Sequence, residues 1–237
     1  MTERQALVLG KPRMRAARAG GLTIAIAGVV VVVLTGGTAA RAGGTPPTTY
    51  LDKAGRFSIT VPRTWQVVPR TVPQVQGLVR QLTQKKQTAL ADAYSLLIST
   101  SAGKDALKNF RFQAFLWPPI SAVPTDVSVA LTSIPKSFGV GKLPAIGARF
   151  ASQLAANKGA KITAPRTIEL KSGLSSEFIE GSIPAAAKQE PATGFELYLI
   201  VQPKTHILYE LSFRIDAAVL DKAVVFKSIA DNFRIVE

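Results

Sequence analysis

The sequence predicts an α+β domain in which a mainly antiparallel sheet of about six strands is flanked by helices. The stretch from Phe195 to Ile215 is the strongest observation. Phe195, Leu197, Leu199 and Val201 alternate with Glu196, Tyr198 and Ile200; Ile207, Tyr209, Leu211, Phe213 and Ile215 alternate with His206, Leu208, Glu210, Ser212 and Arg214. Side chains two apart share one face of a strand, so both runs are strands with an apolar face on a core. Gln202-Pro203-Lys204-Thr205 between them has proline at the second position of a four-residue turn, which makes the pair an antiparallel hairpin. Tyr198, Ile200 and Leu208 on the off-face predict that both faces are at least partly covered, which places the hairpin near the centre of a sheet. The second observation is that further strand-like runs are interleaved with helical stripes over the rest of the chain, without internal repeat.

The N-terminal segment is of a different kind. Arg4, Lys11, Arg13, Arg15 and Arg18 stand against the single acid Glu3, and no charge follows from Ala19 to Ala40. Leu22 to Leu34 is apolar apart from Thr23 and Gly28, and Ala40-Arg41-Ala42 suits a signal peptidase of the A-x-A type. A basic, then apolar, then small-residue order is that of a secretory signal peptide. The uncharged span 19–40 is also long enough to be an uncleaved signal anchor, with the upstream cations holding that end in the cytoplasm. Residues 1–42 are thus a signal peptide or signal anchor, starting at Met1 or at Met14, and either form places the domain on the far side of the membrane. No adjacent arginine pair is present, which favours the general secretory route.

Gly43 to Thr49 is a Gly/Pro/Thr linker, and residues 50–237 suit a single domain. Tyr50-Leu51-Asp52, a turn at Lys53-Ala54-Gly55, and Arg56 to Val61 form a short hairpin with Phe57, Ile59 and Val61 on one face; Pro62 ends it. Trp65 is a core or rim aromatic. Val75, Leu78, Val79 and Leu82, then Leu90, Tyr94, Leu97 and Ile98, are two helical stripes over 73–101, and the polar join Gln84 to Gln87 makes them two helices or one bent one. Phe110, Phe112, Ala114 and Leu116 alternate as a strand ended by Trp117-Pro118-Pro119, and Val127, Val129 and Leu131 are the next strand. Leu143, Ile146, Phe150 and Leu154 predict a helix from Pro144, capped by Gly159. Strands at Thr167–Leu170 and Ser175–Ile179 and a loop at Pro184–Thr193 lead into the central hairpin. Asp216 is a good N-cap for a last helix with Val219, Ala223, Phe226 and Ala230 on one face, and Phe233-Arg234-Ile235 is a final strand.

Two of these segments carry a family pattern. Gly55-Arg56-Phe57-Ser58-Ile59-Thr60-Val61-Pro62-Arg63-Thr64-Trp65 resembles the opening of PsbP-like proteins, and Phe226-Lys227-Ser228-Ile229-Ala230-Asp231-Asn232-Phe233 resembles their closing helix and strand. Within that group the chain is similar to LpqN-type exported lipoproteins of actinobacteria. The resemblance covers about residues 50–237 and rests on apolar and turn positions. It implies an α/β/α sandwich with an antiparallel sheet, and relatives that are mostly non-catalytic binders: an extrinsic subunit of photosystem II, a Ran-binding nuclear factor, and exported proteins that contact partner proteins. The chain departs from it in having no lipobox cysteine, and in Thr125-Asp126 where such proteins often carry asparagine.

The chemistry-bearing residues are sparse. With no cysteine and one histidine, disulfides, thiolate sites, a lipidated cysteine and multi-histidine metal sites are excluded, and no cofactor is expected. G-x-S-x-G is absent and Gly173 to Glu177 only grazes it; His206, beside a turn, reads as a surface histidine rather than a base. Gly139-Val140-Gly141-Lys142 has a misplaced first glycine and Leu143 in place of the phosphate-loop Ser/Thr. Glu177 and Glu180 are three apart in a strand and point to opposite faces. A carrier of an apolar ligand or lipid would draw on Phe110, Phe112, Phe150 and Phe213, whose other role is ordinary core. Charge remains. Setting aside the six cations and one acid of residues 1–42 leaves 23 Lys+Arg and 14 acids, a net charge of +9. Arg70, Arg80, Lys85 and Lys86 lie along the first helical segment, with Lys104, Lys108 and Arg111 after the second. Arg80, Lys85 and Lys86 form the candidate face for an anionic partner. The expected function is an exported, non-enzymatic binding or adaptor domain of the cell envelope whose partner is a protein or an anionic envelope component, not nucleic acid. The alternatives are the ligand carrier and a hydrolase with an unrecognised site.

Overall fold

The computed structural model describes residues 47–236 apart from 122, 139, 186–190 and 223. The leader at 1–42, residues 43–46 of the linker, Gly139, part of the Pro184–Thr193 loop and Ala223 lie outside the described residues. Among the described residues no helix is long and apolar enough to cross a membrane.

The chain begins with β1 (Thr48–Asp52), which starts inside the stretch read as linker and pairs with β2 (Phe57–Val61), Asp52 opposite Phe57. The Gly55 amide donates to Asp52 Oδ1 at 2.8 Å and closes that turn. Pro62 follows β2, and β3 (Trp65–Val67) brings Trp65 into the core. α1 (Val72–Gln84) is capped by Thr71, whose Oγ1 accepts from the Gln74 amide. α2 (Thr88–Ser99) is a separate helix, because Lys86 takes a left-handed φ of 59° that breaks the ladder. A third helix, α3 (Ser101–Asn109), was not expected; among its described residues Ala106 and Leu107 are buried, too few to show a stripe, and Thr100 caps it by accepting from Gly103.

β4 (Phe110–Leu116) and β5 (Asp126–Ser133) are the expected strands. α4 (Leu143–Ala155) starts one residue ahead of Pro144 and ends before Gly159, whose φ of 82° serves the following turn instead of the cap. β6 (Lys161–Ile162), β7 (Arg166–Glu169), β8 (Ser175–Ile183), β9 (Thr193–Gln202) and β10 (Ile207–Asp216) complete the main sheet. The predicted last helix is split. Asp216 Oδ1 accepts from Ala218 and caps a 3-10 turn at Ala217–Lys222, Val219 leaves helical geometry, and α5 (Val224–Asp231) follows before β11 (Arg234–Ile235).

The main sheet has eight strands, all antiparallel, in the order β3-β4-β5-β10-β9-β8-β6 with β7 also on β8; β1, β2 and β11 form a second, three-stranded sheet. The expected single sheet of about six strands is therefore corrected twice. Short strands β3, β6 and β7 extend it, and the N-terminal hairpin packs across it because the apolar face of β2 is needed as a lid.

The two strands of the central hairpin face opposite ways. Phe195, Leu197, Leu199 and Val201 of β9 pack under α4 with Leu143, Ile146, Phe150 and Leu154. Tyr209, Leu211, Phe213 and Ile215 of β10 pack on the other side with Phe57, Ile59, Val61, Phe226, Ile229 and Phe233. Helices α1–α4 thus cover one face, with α1–α3 gathered on Phe115 and Trp117, while the small sheet and α5 cover the other. One outer layer is helical, and the other combines strands with a helix.

The small sheet is tied down by polar contacts. The Tyr209 hydroxyl donates to the Gly55 carbonyl at 3.0 Å. A register shift between Phe110 and Phe112 inserts Arg111 as an extra residue, so that Arg111 and Phe112 both turn toward the small sheet. Arg111 donates from Nε and Nη2 to Asp52, each at 2.9 Å, and Arg70 approaches the same carboxylate at 3.8 Å. Burial alone would raise the Asp52 carboxyl, but Arg111, the Gly55 amide and Arg70 outweigh it and hold it below the ordinary value of 3.8. A depressed carboxylate stabilises the fold above its unfolded pKa and loses that contribution as pH falls through the folded one. Asp52→Asn is expected to cost about 1–3 kcal/mol at pH 7 in urea unfolding. The gap from the parent should close as pH is lowered below about 4; a gap independent of pH would show that the ion pair is not its source.

Gly147 is required by contact rather than conformation. A Cβ there would lie 2.2 Å from Glu177 Cγ, and Glu177 is held in place by Thr167, which donates to it at 2.8 Å. Gly147→Ala gains about 1 kcal/mol of helix propensity but meets overpacking of roughly 1–3 kcal/mol. A net loss is expected, read as a lower urea midpoint at unchanged m-value.

Candidate functional site

The helical face is not covered evenly. α3 packs on β4, and α4 packs on β8 and β9. Between those blocks the floor is β5 and β10, where Ala130, Thr132, Glu210, Ser212 and Arg214 are only half-buried. Cross-strand partners share a face, so the rows of this floor can be read from the register. Phe115, Asp126, Arg214 and Phe195 form one row; Gln113, Ser128, Ser212 and Leu197 the next; Phe110, Ala130, Glu210 and Leu199 the third; Thr132, Leu208 and Val201 the fourth. A polar seam therefore runs along the two middle strands, between the apolar cluster of α1–α3 and that of α4.

The charges in the seam are matched unequally. Arg214 donates to Asp126 from Nε at 3.0 Å and from Nη2, a forked ion pair. Burial works against both members; the pairing with Asp126 outweighs it at Arg214 and keeps that guanidinium protonated. Glu210 has no such match. Among the described residues its hydrogen-bond partner is Thr132 Oγ1 at 3.1 Å, and none of their cations pairs with it. Burial pushes its carboxyl up, and the Thr132 bond only partly opposes this. In the second row, Gln113 is 9% exposed and its Oε1 has no hydrogen-bond partner among the described residues.

A second polar cluster lies on the opposite face beside α5. Glu180 and Glu196 are direct cross-strand partners. Glu196 is raised by burial and by Glu180, and the Tyr198 hydroxyl, which donates to it at 2.8 Å, opposes this. Arg166 lies over the Phe178 ring and 3.7 Å from Glu180, while Lys227 holds Asp231 at 3.0 Å, so this cluster carries its own cations.

The residues singled out from the sequence are placed as follows. Lys85 and Lys86 are exposed in the turn between α1 and α2 and Arg80 is exposed within α1, more than one turn earlier; none has an ion-pair partner among the described residues. Arg70 and Arg111 are instead turned to Asp52, and Lys108 to Asp105 at 3.5 Å, so they do not belong to that face. His206 sits in the hairpin turn at a φ of 53°, with Nδ1 buried and without a partner, so no carboxylate orients it as a base. Glu177 points to α4 and Glu180 to the opposite face, as the strand period requires. The four phenylalanines do not line one cavity: Phe112 and Phe213 lie under the small sheet, Phe150 lies in α4 on the other side, and Phe110 is half-buried beside Ala130. Among the described residues no group of three or more His, Asp or Glu is arranged to hold a metal. The seam was missed from the sequence although Glu210, Ser212 and Arg214 were visible as the off-face of β10. Alternation shows which residues share a face, and only the packing of the helices on that face decides that these stay half-buried.

No family model matches this sequence, and no curated protein does. Solved structures do. Cyanobacterial PsbP (CyanoP) from Synechocystis matches over 84% of this chain and 98% of its own, at 13% identity and a TM-score of 0.50. This chain has the PsbP fold. LpqN, described as involved in cell envelope biogenesis of Mycobacterium tuberculosis, matches over 82% of this chain and 87% of its own, at 13% identity and a TM-score of 0.48. The Saccharomyces cerevisiae Ran-binding protein Mog1p matches over 82% and 97%, at 8% identity and a TM-score of 0.44. At such identities the likeness is one of fold, and the PsbP scaffold carries no site residue over to this chain.

An uncompensated carboxylate in the middle of this scaffold has a thermodynamic signature. A carboxyl raised in the folded state weakens the fold as pH rises above its unfolded value, 4.5 for glutamate, and the penalty is absent below it. Glu210→Gln keeps a partner for Thr132 and removes the charge. Its thermal midpoint at pH 7 is expected to equal or exceed the parent's, with no advantage below about pH 4. A loss of stability at pH 7 would reveal a cationic partner for Glu210.

Proposed function

We propose that this chain is an exported, non-enzymatic binding or adaptor domain of the cell envelope that engages an anionic partner through exposed cations of α1 and the α1–α2 turn. The observation that carries the reading is the contrast among its cations. Arg70, Arg111, Arg214 and Lys227 each hold a carboxylate inside the fold, whereas Arg80 on α1 and Lys85 and Lys86 in the α1–α2 turn are exposed without such a partner among the described residues. Exposed cations without an acidic partner raise the local concentration of anions and steer encounter. Export is supported by the charge and hydropathy order of residues 1–42.

Each cation near an anionic surface contributes about 1 kcal/mol, so replacing Arg80, Lys85 and Lys86 together with glutamate should weaken binding by about two orders of magnitude. Co-sedimentation with phosphatidylglycerol-containing vesicles and with cell-wall fractions measures it. The three positions are exposed, so the thermal midpoint should hold. Undiminished binding by the triple variant would remove these cations from the function.

A further inference from the structure

We propose that the end of the sandwich at which the chain enters from its leader is a membrane-docking face, on which Ile120, Trp117 and Val224 enter the headgroup region of a bilayer and Arg63, Lys158 and Lys161 meet lipid phosphates. This stands on residues other than the cations of α1 and the α1–α2 turn. It concerns the form of the chain that keeps 19–40 in the bilayer.

Strand pairing assembles this end. Thr48, at the start of β1, lies opposite Val61, and the turn after β2 is closed by the Trp65 amide donating to the Pro62 carbonyl at 2.9 Å. Trp65 pairs with Leu116, and the Trp117 amide donates to the Thr64 carbonyl at 2.8 Å, so the loop 117–121 stands beside the point of entry. Phe115, Asp126 and Arg214 are the row just inside, which puts Leu116 and Ile215 at the same end of the main sheet. Ile215 is opposite Gly194, Gly194 opposite Ser182, and Ser182 opposite Lys161. α5 starts here too, since Phe226 in its first turn meets Trp65 at 6.3 Å and Phe213 at 4.8 Å.

The side chains gathered there are those of an interfacial surface. Ile120 is 54% and Val224 80% exposed, and Trp117 in the same loop as Ile120 is half-buried. Arg63, Lys158 and Lys161 are exposed, and none has an ion-pair partner among the described residues. Apolar side chains gain free energy on leaving water, indole rings favour the headgroup level, and cations gain from anionic lipid. These groups are spread across the ends of the strands from β3 to β6, about 30 Å, which suits a plane rather than a compact ligand.

The chain that precedes the domain says which plane. The uncharged span ends at Ala40 and the described chain begins at Pro47, and the residues 41–47 reach at most about 25 Å. A domain of this length is about 40 Å across, so the linker is too short to let it turn its opposite end to the lipid.

The test uses the absence of cysteine, which lets a single introduced one be labelled without background. The full chain, leader included, is reconstituted in phosphatidylglycerol-containing vesicles with a nitrobenzoxadiazole label at Ile120→Cys, or at Val140→Cys as control. Val140 is 42% exposed and precedes α4 at the opposite end, where the Ile134 amide donates to the His206 carbonyl. Emission from position 120 should shift to the blue and be quenched by brominated lipid, and emission from position 140 should do neither. Replacing Arg63, Lys158 and Lys161 together with glutamate should remove most of the shift at 120 while the thermal midpoint holds. Replacing Arg80, Lys85 and Lys86 should leave it, which separates this face from the site of the anionic partner. The proposal is overturned by emission from position 120 as in water, by equal quenching at both positions, by a shift that survives loss of the three cations or disappears with those of α1 and its turn, or by a full chain that does not float with the vesicles.

Discussion

The structure depends on a division of labour inside the β9–β10 hairpin. Both strands alternate strictly, but paired residues set the two apolar series on opposite faces: Leu199 lies opposite Glu210, and Leu211 lies opposite Tyr198. One strand therefore supplies its main apolar series to the core under α4 and the other to the core under the small sheet. A slip of one residue between them would turn each series to the wrong side, so burial on both faces fixes the register more firmly than the turn does. The hairpin is the shared wall of two cores, and the remaining strands are added outward from it.

What closes the inner core comes from the two ends of the domain. β1 and β2 are joined by β11 from the far end of the chain, with Arg234 opposite Ser58. Phe57 and Phe233 stack at 5.6 Å, Tyr209 meets Phe233 edge-on at 5.5 Å, and Phe213 stacks with Phe226 at 4.8 Å. The Arg111 bulge adds the polar part of this closure, since an unbulged β4 would place Arg111 and Phe112 on opposite faces. Aromatic packing supplies most of the adhesion, and the Asp52 pair fixes where the lid sits.

The electrostatics separate into an inner and an outer set. Inside, cations are matched one by one to carboxylates at Asp52, Asp126 and Asp231. Outside, Arg80, Lys85 and Lys86 are exposed without an ion-pair partner among the described residues. Glu177, Glu196 and Glu210 follow another pattern, each held by a hydroxyl, of Thr167, Tyr198 and Thr132 respectively, with no ion-pair partner among the described residues.

The sequence by itself determined most of the elements. Period-two runs, the Pro203 turn and the 3.6-residue stripes are local signals, and they located the central hairpin, β4, β5, α1, α2 and α4. Local signals failed where length or partners mattered: α3 buries too little to show a stripe, the last helix breaks at Val219, and Gly159 serves a turn beyond its helix. The tertiary structure alone decided the use of each charge. Arg70, Arg80 and Arg111 look alike along the chain, yet two of them meet Asp52 and one meets solvent, because pairing joins residues about 20 to 60 positions apart. It also decided the meaning of Glu210, whose alternation with Leu211 is visible in the sequence. Whether an off-face residue meets water or stays half-buried depends on which strands stand beside it, and strand order is set by the packing of the whole sheet.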